Sequence, residues 1–289
     1  LIARPVGSVV YTQLLDRRGG MAGDVTITRL GPHRFRLVTG AGYVNSDLGW
    51  LRLERREEDG PVEIRETTEE LCVVGMWGPR ARDVLEATTD DDVSEEGFPF
   101  MKARTIHVEG FEVFAQRVTY VGELGWEFYL EPAVAMQVWD RLMTAGQTSG
   151  IRPGGYRALD SLRMEKGYRC FCVRFDKGDF NGREALKAAK TAGISRRLRT
   201  LLVGEQEYVT VYGGEAVYAD GSIVGRLRSC AYGFTVGRNI AYSYLPVGLG
   251  PGARVEVDVF GRRVPADVST DALLRREQLV GHDAKHVAS

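Results

Sequence analysis

The chain has 289 residues, 44% of them hydrophobic and 27% charged, with a formal net charge of −1 and a pI near 6.5. That length buries a substantial core and exceeds the usual size of one domain, so two or three domains are expected. No basic stripe interleaved with aromatics offers a nucleic-acid surface, and no run approaches the roughly 18 apolar residues of a membrane-crossing helix. In chain order, residues 11 to about 50 predict a strand, a Gly19-Gly20 turn, and two more strands over Asp24–Thr28 and Arg34–Thr39. Both runs alternate polar and apolar residues, the pattern of half-buried strands. Ser46–Arg56 has helical spacing, with Asn45 or Ser46 as the expected N-cap. Cys72 to Pro79 closes a strand, and Arg80–Thr88 reads as a helix entered through Pro79. Val108–Leu130 supplies two or three strands, followed by an amphipathic helix over Ala133–Ala145 with Val134, Val138, Trp139 and Leu142 on one side. From about Leu198 only strands are predicted: Thr200–Val203, Glu215–Tyr218, Ser222–Arg226, Asn239–Tyr244 and Arg254–Phe260, with a hairpin signal at Asp220-Gly221. The fold class is therefore α+β, an α+β body with a small all-β barrel or sandwich at its C-terminal end.

The four cysteines, Cys72, Cys170, Cys172 and Cys230, match no zinc spacing and read as buried free thiols, not as disulfides or a metal site. With no visible signal peptide, they point to a cytoplasmic protein. His282 and His286 stand four apart in the tail, but no carboxylate framework supports a metal there, and the tail reads as a frayed end. Gly248-Leu249-Gly250-Pro251-Gly252 lies late between strands and is a turn, so no dinucleotide site is indicated.

The run Tyr120-Val121-Gly122-Glu123-Leu124-Gly125-Trp126-Glu127 carries the most chemistry. It places a phenol and two carboxylates around a backbone that two glycines let pass close to other groups. Glu127 opens the strand-like run Glu-Phe-Tyr-Leu, where a fixed carboxylate can receive a flat, N–H-rich ligand through two parallel hydrogen bonds. The competing reading is an ordinary β-turn with solvated glutamates.

Three blocks together carry a resemblance: this run, Tyr156-Arg157-Ala158-Leu159-Asp160-Ser161-Leu162-Arg163-Met164-Glu165-Lys166-Gly167-Tyr168-Arg169 with the following Asp176–Leu186 segment, and Gly19-Gly20-Met21-Ala22-Gly23-Asp24 near the start. In this order they resemble the T-protein family of the glycine cleavage system, and within it the folate-binding portion of dimethylglycine and sarcosine dehydrogenases. The resemblance runs from about Val6 to Val268. It implies two ferredoxin-like α+β domains and a terminal β-barrel around a central folate cavity, with residues 1–60 a partial first domain, 61–197 the second and 198–289 the barrel.

The resemblance also implies residue roles. Asp24 matches an acid that stands by the N5–N10 edge of tetrahydrofolate and positions or protonates the reacting nitrogen; its alternative role is a strand-end cap. Tyr120 matches a tyrosine lining the folate cavity, and Glu127 a glutamate that accepts hydrogen bonds from the pterin ring. Tyr11 and Tyr232 fall where the family contributes aromatic walls, with plain strand packing as the alternative. Glu123 reads as holding the turn. Arg163 and Glu165 are expected in ion pairs between domains. The chain departs from the family pattern in four places. Gly23 stands where T-proteins often carry a first acid, and Leu159 where they carry an arginine, so that binding of a folate tail is expected to be weaker or to use Arg157 or Arg163. A segment before Val6 is missing, which would leave the first sheet incomplete, and a loop and strand after Arg169 are expected to have been omitted.

The expected function is a tetrahydrofolate-dependent transferase of aminomethyl, methylene or methyl groups. It would be coupled to demethylation of an N-methylated amine by a flavin dehydrogenase, fused or separate, that carries the flavin. The alternatives are a non-catalytic scaffold or regulatory subunit with the same fold, or a tetrahydrofolate-dependent O- or S-demethylase.

Overall fold

Alternating polar and apolar residues fold the first part of the chain into an antiparallel meander. Its strands β1 (Val9–Leu15), β2 (Met21–Gly31) and β3 (Arg34–Val38) lie in the order β1-β2-β3. This is seen in a computed structural model, which describes residues 3–168, 178–205, 207–270 and 272–274. The β1–β2 turn is tied by Asp16, whose Oδ1 accepts from the N–H of Gly20 at 2.7 Å and of Arg18 at 2.8 Å. Those bonds, Gly20's first, hold its carboxyl below the usual carboxylate range. α1 (Val44–Glu54) then packs on β2. It begins earlier than expected, with Tyr43 at its cap position and no side-chain cap. A short 3₁₀ turn at Ala41–Tyr43 has already tightened the chain there, so Asn45 and Ser46 lie inside the first turn and not at its cap. The Ser46 hydroxyl donates back to Tyr43 O at 2.9 Å.

The second sheet contains β4 (Cys72–Trp77), β5 (Ala103–Val108), β6 (Phe111–Gln116) and β7 (Gly125–Leu130), all antiparallel in the order β4-β7-β6-β5. α2 (Ala81–Glu86) follows β4 and is shorter than expected at both ends. Arg80 stands at its cap, and the Thr88 hydroxyl closes it by donating to Leu85 O at 2.9 Å. α3 (Pro132–Ala145) follows β7. Trp126, Phe128 and Leu130 alternate along β7 into a core with Leu85 of α2 and Val138 and Leu142 of α3. The helices thus cover one face of this sheet, and Glu127 and Tyr129 are left for the other. That second face meets the first sheet. Residues 7–9 splice the two sheets: Val9 N–H donates to Met101 O at 2.9 Å and Ala103 N–H to Gly7 O at 2.7 Å. Val9, Ala103 and Val118 close the seam.

Two more helices complete the body, α4 (Tyr156–Glu165) and α5 (Arg183–Ala192). The start of α5 docks near the first sheet, where Asn181 Nδ2 donates to Glu54 Oε2 at 2.9 Å. β8 (Arg196–Val203), β9 (Ala216–Ala219), β10 (Ser222–Gly233), β11 (Arg238–Pro246), β12 (Arg254–Val259) and β13 (Arg262–Ser269) form a closed barrel in the order β10-β11-β8-β13-β12-β9. The α+β body and the C-terminal barrel are as the sequence led us to expect. Asp220 and Gly221 both take positive φ, 48° and 76°, as a two-residue hairpin turn requires. The strand β13 was not foreseen, because charged residues and Pro265 mask its alternation. Cys72 and Cys230 are free thiols, and burial pushes the Cys230 thiol up to about 12. Cys170, Cys172, the junction after Arg169, His282 and His286 lie outside the described residues.

α4 joins the barrel to the body. Ser161 Oγ donates to Tyr232 O at 2.6 Å, and Tyr242 OH to Met164 O at 3.3 Å. Glu165, almost fully buried, accepts from the N–H of Thr235 at 2.6 Å and of Val236 at 3.2 Å through Oε1. An ion pair was expected of Glu165; the geometry instead gives it two backbone donors at the β10–β11 turn. Arg163 pairs within its own helix, with Asp160 at 2.7 Å, because three residues put both on one face. Lys166, directly after α4, forms an ion pair with Glu123 in the loop before β7. Replacing Glu165 with Ala removes the charged acceptor of two backbone N–H groups and is expected to lower the unfolding free energy by roughly 1–3 kcal/mol. Urea denaturation checks this, and an unchanged midpoint would mean the carboxylate does not hold α4 on the barrel.

Candidate functional site

The facing surfaces of the two sheets are polar where sheet packing is usually apolar. On β2, Asp24, Thr26 and Thr28 alternate onto one face, and Thr28 pairs across the ladder with Arg36 of β3. Opposite them, Phe114 and Gln116 of β6 stand beside Tyr129 and Glu127 of β7. Thr28 and Gln116 are fully buried and join the sheets directly, Thr28 Oγ1 donating to Gln116 Oε1 at 2.7 Å. The Arg36 guanidinium lies 4.9 Å from the Phe114 ring centroid and 5.0 Å from that of Tyr129.

Glu127 is the third residue of its strand, which begins at Gly125. Its hydrogen-bond partner among the described residues is Tyr129, whose OH donates to Oε2 at 2.8 Å. Burial pushes the Glu127 carboxyl above the ordinary carboxylate range, and the Tyr129 bond pulls it only part of the way back. The Tyr129 phenol is itself pushed up, by burial and then by the neighbouring carboxylate. Trp77 lies alongside, its indole occupying the space that side chains at Gly75 and Gly125 would need. Gly75 is the ladder partner of Glu127, so its missing Cβ is what admits a flat ring next to the carboxylate. Trp77 Nε1 donates to Val118 O at 2.9 Å, which fixes that ring.

Asp24 and Tyr11 come together, Tyr11 OH donating to Asp24 Oδ2 at 2.7 Å. They lie toward the far end of the same face, Asp24 being four residues from Thr28, or about 13 Å along an extended strand. Tyr120 packs under Arg163, whose guanidinium carbon is 5.9 Å from its ring centroid. Tyr232 joins an aromatic cluster on the barrel, 5.5 Å from Tyr208 and 5.1 Å from Phe234 between ring centroids. Glu123 is engaged by Lys166. Gly23 is not simply a lost acid: a Cβ there would stand 2.7 Å from Asp47 Oδ1. The Asp47 carboxylate, buried and bonded by the Thr39 hydroxyl, already fills that space from α1.

Arg36, Gln116, Trp77 and Tyr129 were not singled out from the sequence. Two of them carry buried donors with no hydrogen-bond partner among the described residues, Arg36 Nη1 and Gln116 Nε2. Arg36 occupies a polar position of an alternating strand, so no signal in the sequence set it apart. The contact between the sheets thus gathers a half-buried acceptor, two donors without a partner among the described residues, a flat indole wall and, farther along, a tyrosine-oriented carboxylate. Such a set suits a planar heterocycle that has both N–H donors and a carbonyl, with a reactive group several ångströms from that edge.

Comparison with known proteins gives a consistent answer. The family model described as the GCVT N-terminal domain matches residues 1–185, and that of the glycine cleavage T-protein C-terminal barrel domain matches residues 196–274. The chain is 33% identical to mouse (Mus musculus) mitochondrial dimethylglycine dehydrogenase over 94% of its own length. It spans about a third of the length of that relative, 33%. It is 30% identical to an aminomethyltransferase of Stenotrophomonas maltophilia, covering 94% of this chain and 76% of the other. Its fold is similar to the crystal structure of the glycine cleavage system aminomethyltransferase T from Bartonella henselae, with a TM-score of 0.76 at 22% identity, covering 96% and 78% of the two chains. No described helix is long and apolar enough to cross a membrane.

Two outcomes follow from this geometry. Gly23→Asp is expected to lower the unfolding free energy by about 2 kcal/mol, since it forces a second side chain onto the Asp47 carboxylate; unchanged urea stability would show that α1 yields without cost. Glu127→Gln is expected to raise the melting temperature at pH 7. A folded-state pKa above the unfolded one means the ionised carboxylate costs stability at neutral pH, a cost that fades as pH falls. A lower melting temperature would contradict the assignment of Glu127 as a buried, under-paired anion.

Proposed function

The chain belongs to the glycine cleavage T-protein family, and from that premise we propose that it is a tetrahydrofolate-dependent one-carbon transferase. The observation that carries this reading is the Glu127 carboxylate, half-buried where the two sheets meet, with Tyr129 as its partner among the described residues. An anion kept there at a cost in stability is explained by a ligand that brings two donors to it, and the amidine edge of a pterin does so. The unpartnered Arg36 and Gln116 donors fit the same group, since a pterin also presents a carbonyl.

Tetrahydrofolate, when bound, supplies the nitrogen that takes up a one-carbon unit. The chain's residues do the rest. Glu127 fixes the ring by its amidine edge, and Trp77 supplies a flat wall beside it. Asp24, turned by the Tyr11 hydroxyl on Oδ2, is set to take up or return a proton at the reacting nitrogen. Tyr120, held under Arg163, and Tyr232, at the barrel's aromatic cluster, line the approach and keep water out. Positioning of this kind supplies at best on the order of 7–11 kcal/mol of the barrier. In the same reading the chain divides near residues 60 and 197 into two folate-binding α+β units and the barrel. The one-carbon unit comes from an N-methylated amine oxidised by a flavin dehydrogenase, fused or separate, which is supported by the likeness to dimethylglycine dehydrogenase.

Calorimetric titration with reduced tetrahydrofolate, without oxygen, tests the reading. Binding in the micromolar range, roughly −8 kcal/mol, is expected, and Glu127→Gln is expected to abolish it; wild-type affinity in that variant would remove the pterin assignment. Binding is also expected to weaken on acidification. The protonated Glu127 loses its acceptor pair, and because its pKa is raised the loss begins closer to neutrality than for an ordinary carboxylate. Asp24→Asn is expected to keep the affinity and slow transfer about 10²–10⁴-fold, measured by single-turnover kinetics; an unchanged rate returns Asp24 to a structural role.

A further inference from the structure

We propose that Arg36 reads the carbonyl oxygen of the bound pterin, making it a specificity-determining residue that distinguishes a 4-oxo ring from one without that oxygen. This rests on the folate reading above and adds a contact to it. Three observations carry it. First, Arg36 Nη1 is buried and has no hydrogen-bond partner among the described residues, although buried guanidinium donors are ordinarily paired. Second, the guanidinium rests against two aromatic rings, 4.9 Å from the Phe114 centroid and 5.0 Å from that of Tyr129, so ring contacts help to hold it in place. Third, it stands at the same sheet-to-sheet contact as Glu127. Tyr129, under the guanidinium, donates to Glu127 at 2.8 Å, and Thr28, the ladder partner of Arg36, donates at 2.7 Å to Gln116, the ladder partner of Glu127.

A pterin places its donors and its carbonyl oxygen side by side on one edge. A site that grips the donors with a carboxylate therefore meets the oxygen close by, and a cation there completes the match. The contact with two rings explains why arginine suits the place better than lysine, because a delocalised guanidinium bears on aromatic rings while keeping further N–H groups for a ligand. Burial lowers the Arg36 pKa, which is the cost of keeping the cation there before a ligand oxygen arrives. Gln116 Nε2, the second unpartnered donor, is placed to share that oxygen.

The test is a binding cycle by anaerobic calorimetry on the 289-residue chain. It uses tetrahydrofolate and its 4-deoxy analogue, wild type and Arg36→Met, whose stem still packs on the rings. The analogue also lacks the N3 proton that Glu127 receives, but that loss is common to both proteins and cancels in the cycle. Wild type is expected to prefer tetrahydrofolate, and Arg36→Met to shrink that preference about tenfold or more, since a hydrogen bond to a charged group is lost. If the variant weakens both ligands alike, or neither, Arg36 is a packing residue and the proposal fails while the folate reading stands. If wild type binds neither ligand, the folate reading fails and takes this proposal with it. Should Arg36→Met not fold, Arg36→Lys is read in the same cycle. A partial loss of the preference supports the proposal, and an unchanged preference overturns it.

Discussion

Two sheets meet face to face through polar side chains, and this one constraint organises the molecule. Buried polar groups are costly unless paired. Here Thr28 and Gln116 pair with each other across the seam, and Tyr129 serves Glu127. What is left over, one under-paired carboxylate and the unpartnered nitrogens of Arg36 and Gln116, is concentrated at a single place. The rest of the second sheet's residues are spent on the opposite face, where Trp126, Phe128 and Leu130 join α2 and α3 in a dry core. The contact between the sheets thus brings an under-paired carboxylate together with two buried donors, Arg36 Nη1 and Gln116 Nε2, that have no partner among the described residues.

The second organising element is α4. Successive residues of one helix face different neighbours. Ser161 and Glu165 hold the β10–β11 side of the barrel, Arg163 lies against Tyr120, and the following Lys166 pairs with Glu123 in the loop that leads to Glu127. The barrel is therefore coupled to the loop that sets the β7 carboxylate, with no direct contact of the barrel on β7 required. A change at the barrel's aromatic cluster around Tyr232 has a mechanical route to Tyr120 through that helix.

Much of the architecture was legible in the chain. The alternation over Asp24–Thr28 and Arg34–Thr39, the amphipathic spacing of Ala133–Ala145 and the Asp220-Gly221 hairpin each encode their structure in a few adjacent residues. Boundaries were less legible, because the cap of α1 depends on a preceding 3₁₀ turn and not on a capping side chain. The site itself was half legible. Glu127 and Asp24 sit in short motifs, but Arg36, Gln116 and Trp77 acquire meaning only when strands far apart in sequence are brought into register. The same holds for Gly23: its neighbour across space, Asp47, comes from a helix two elements later. The β13 strand was hidden by arginines and a proline; Pro265 is tolerated because the ladder with β8 begins only at the next residue, Ala266.

The central claim is that the half-buried Glu127 carboxylate receives the edge of a pterin where the two sheets meet. A crystal structure of the chain soaked or grown with reduced tetrahydrofolate tests it most directly. The account predicts the ring between the two sheets, its amidine nitrogens within hydrogen-bond distance of the Glu127 oxygens and its N5–N10 edge toward Asp24. Folate seated elsewhere on the molecule, or a Glu127 carboxylate still bonded to Tyr129 with the ring turned away from it, would contradict the account.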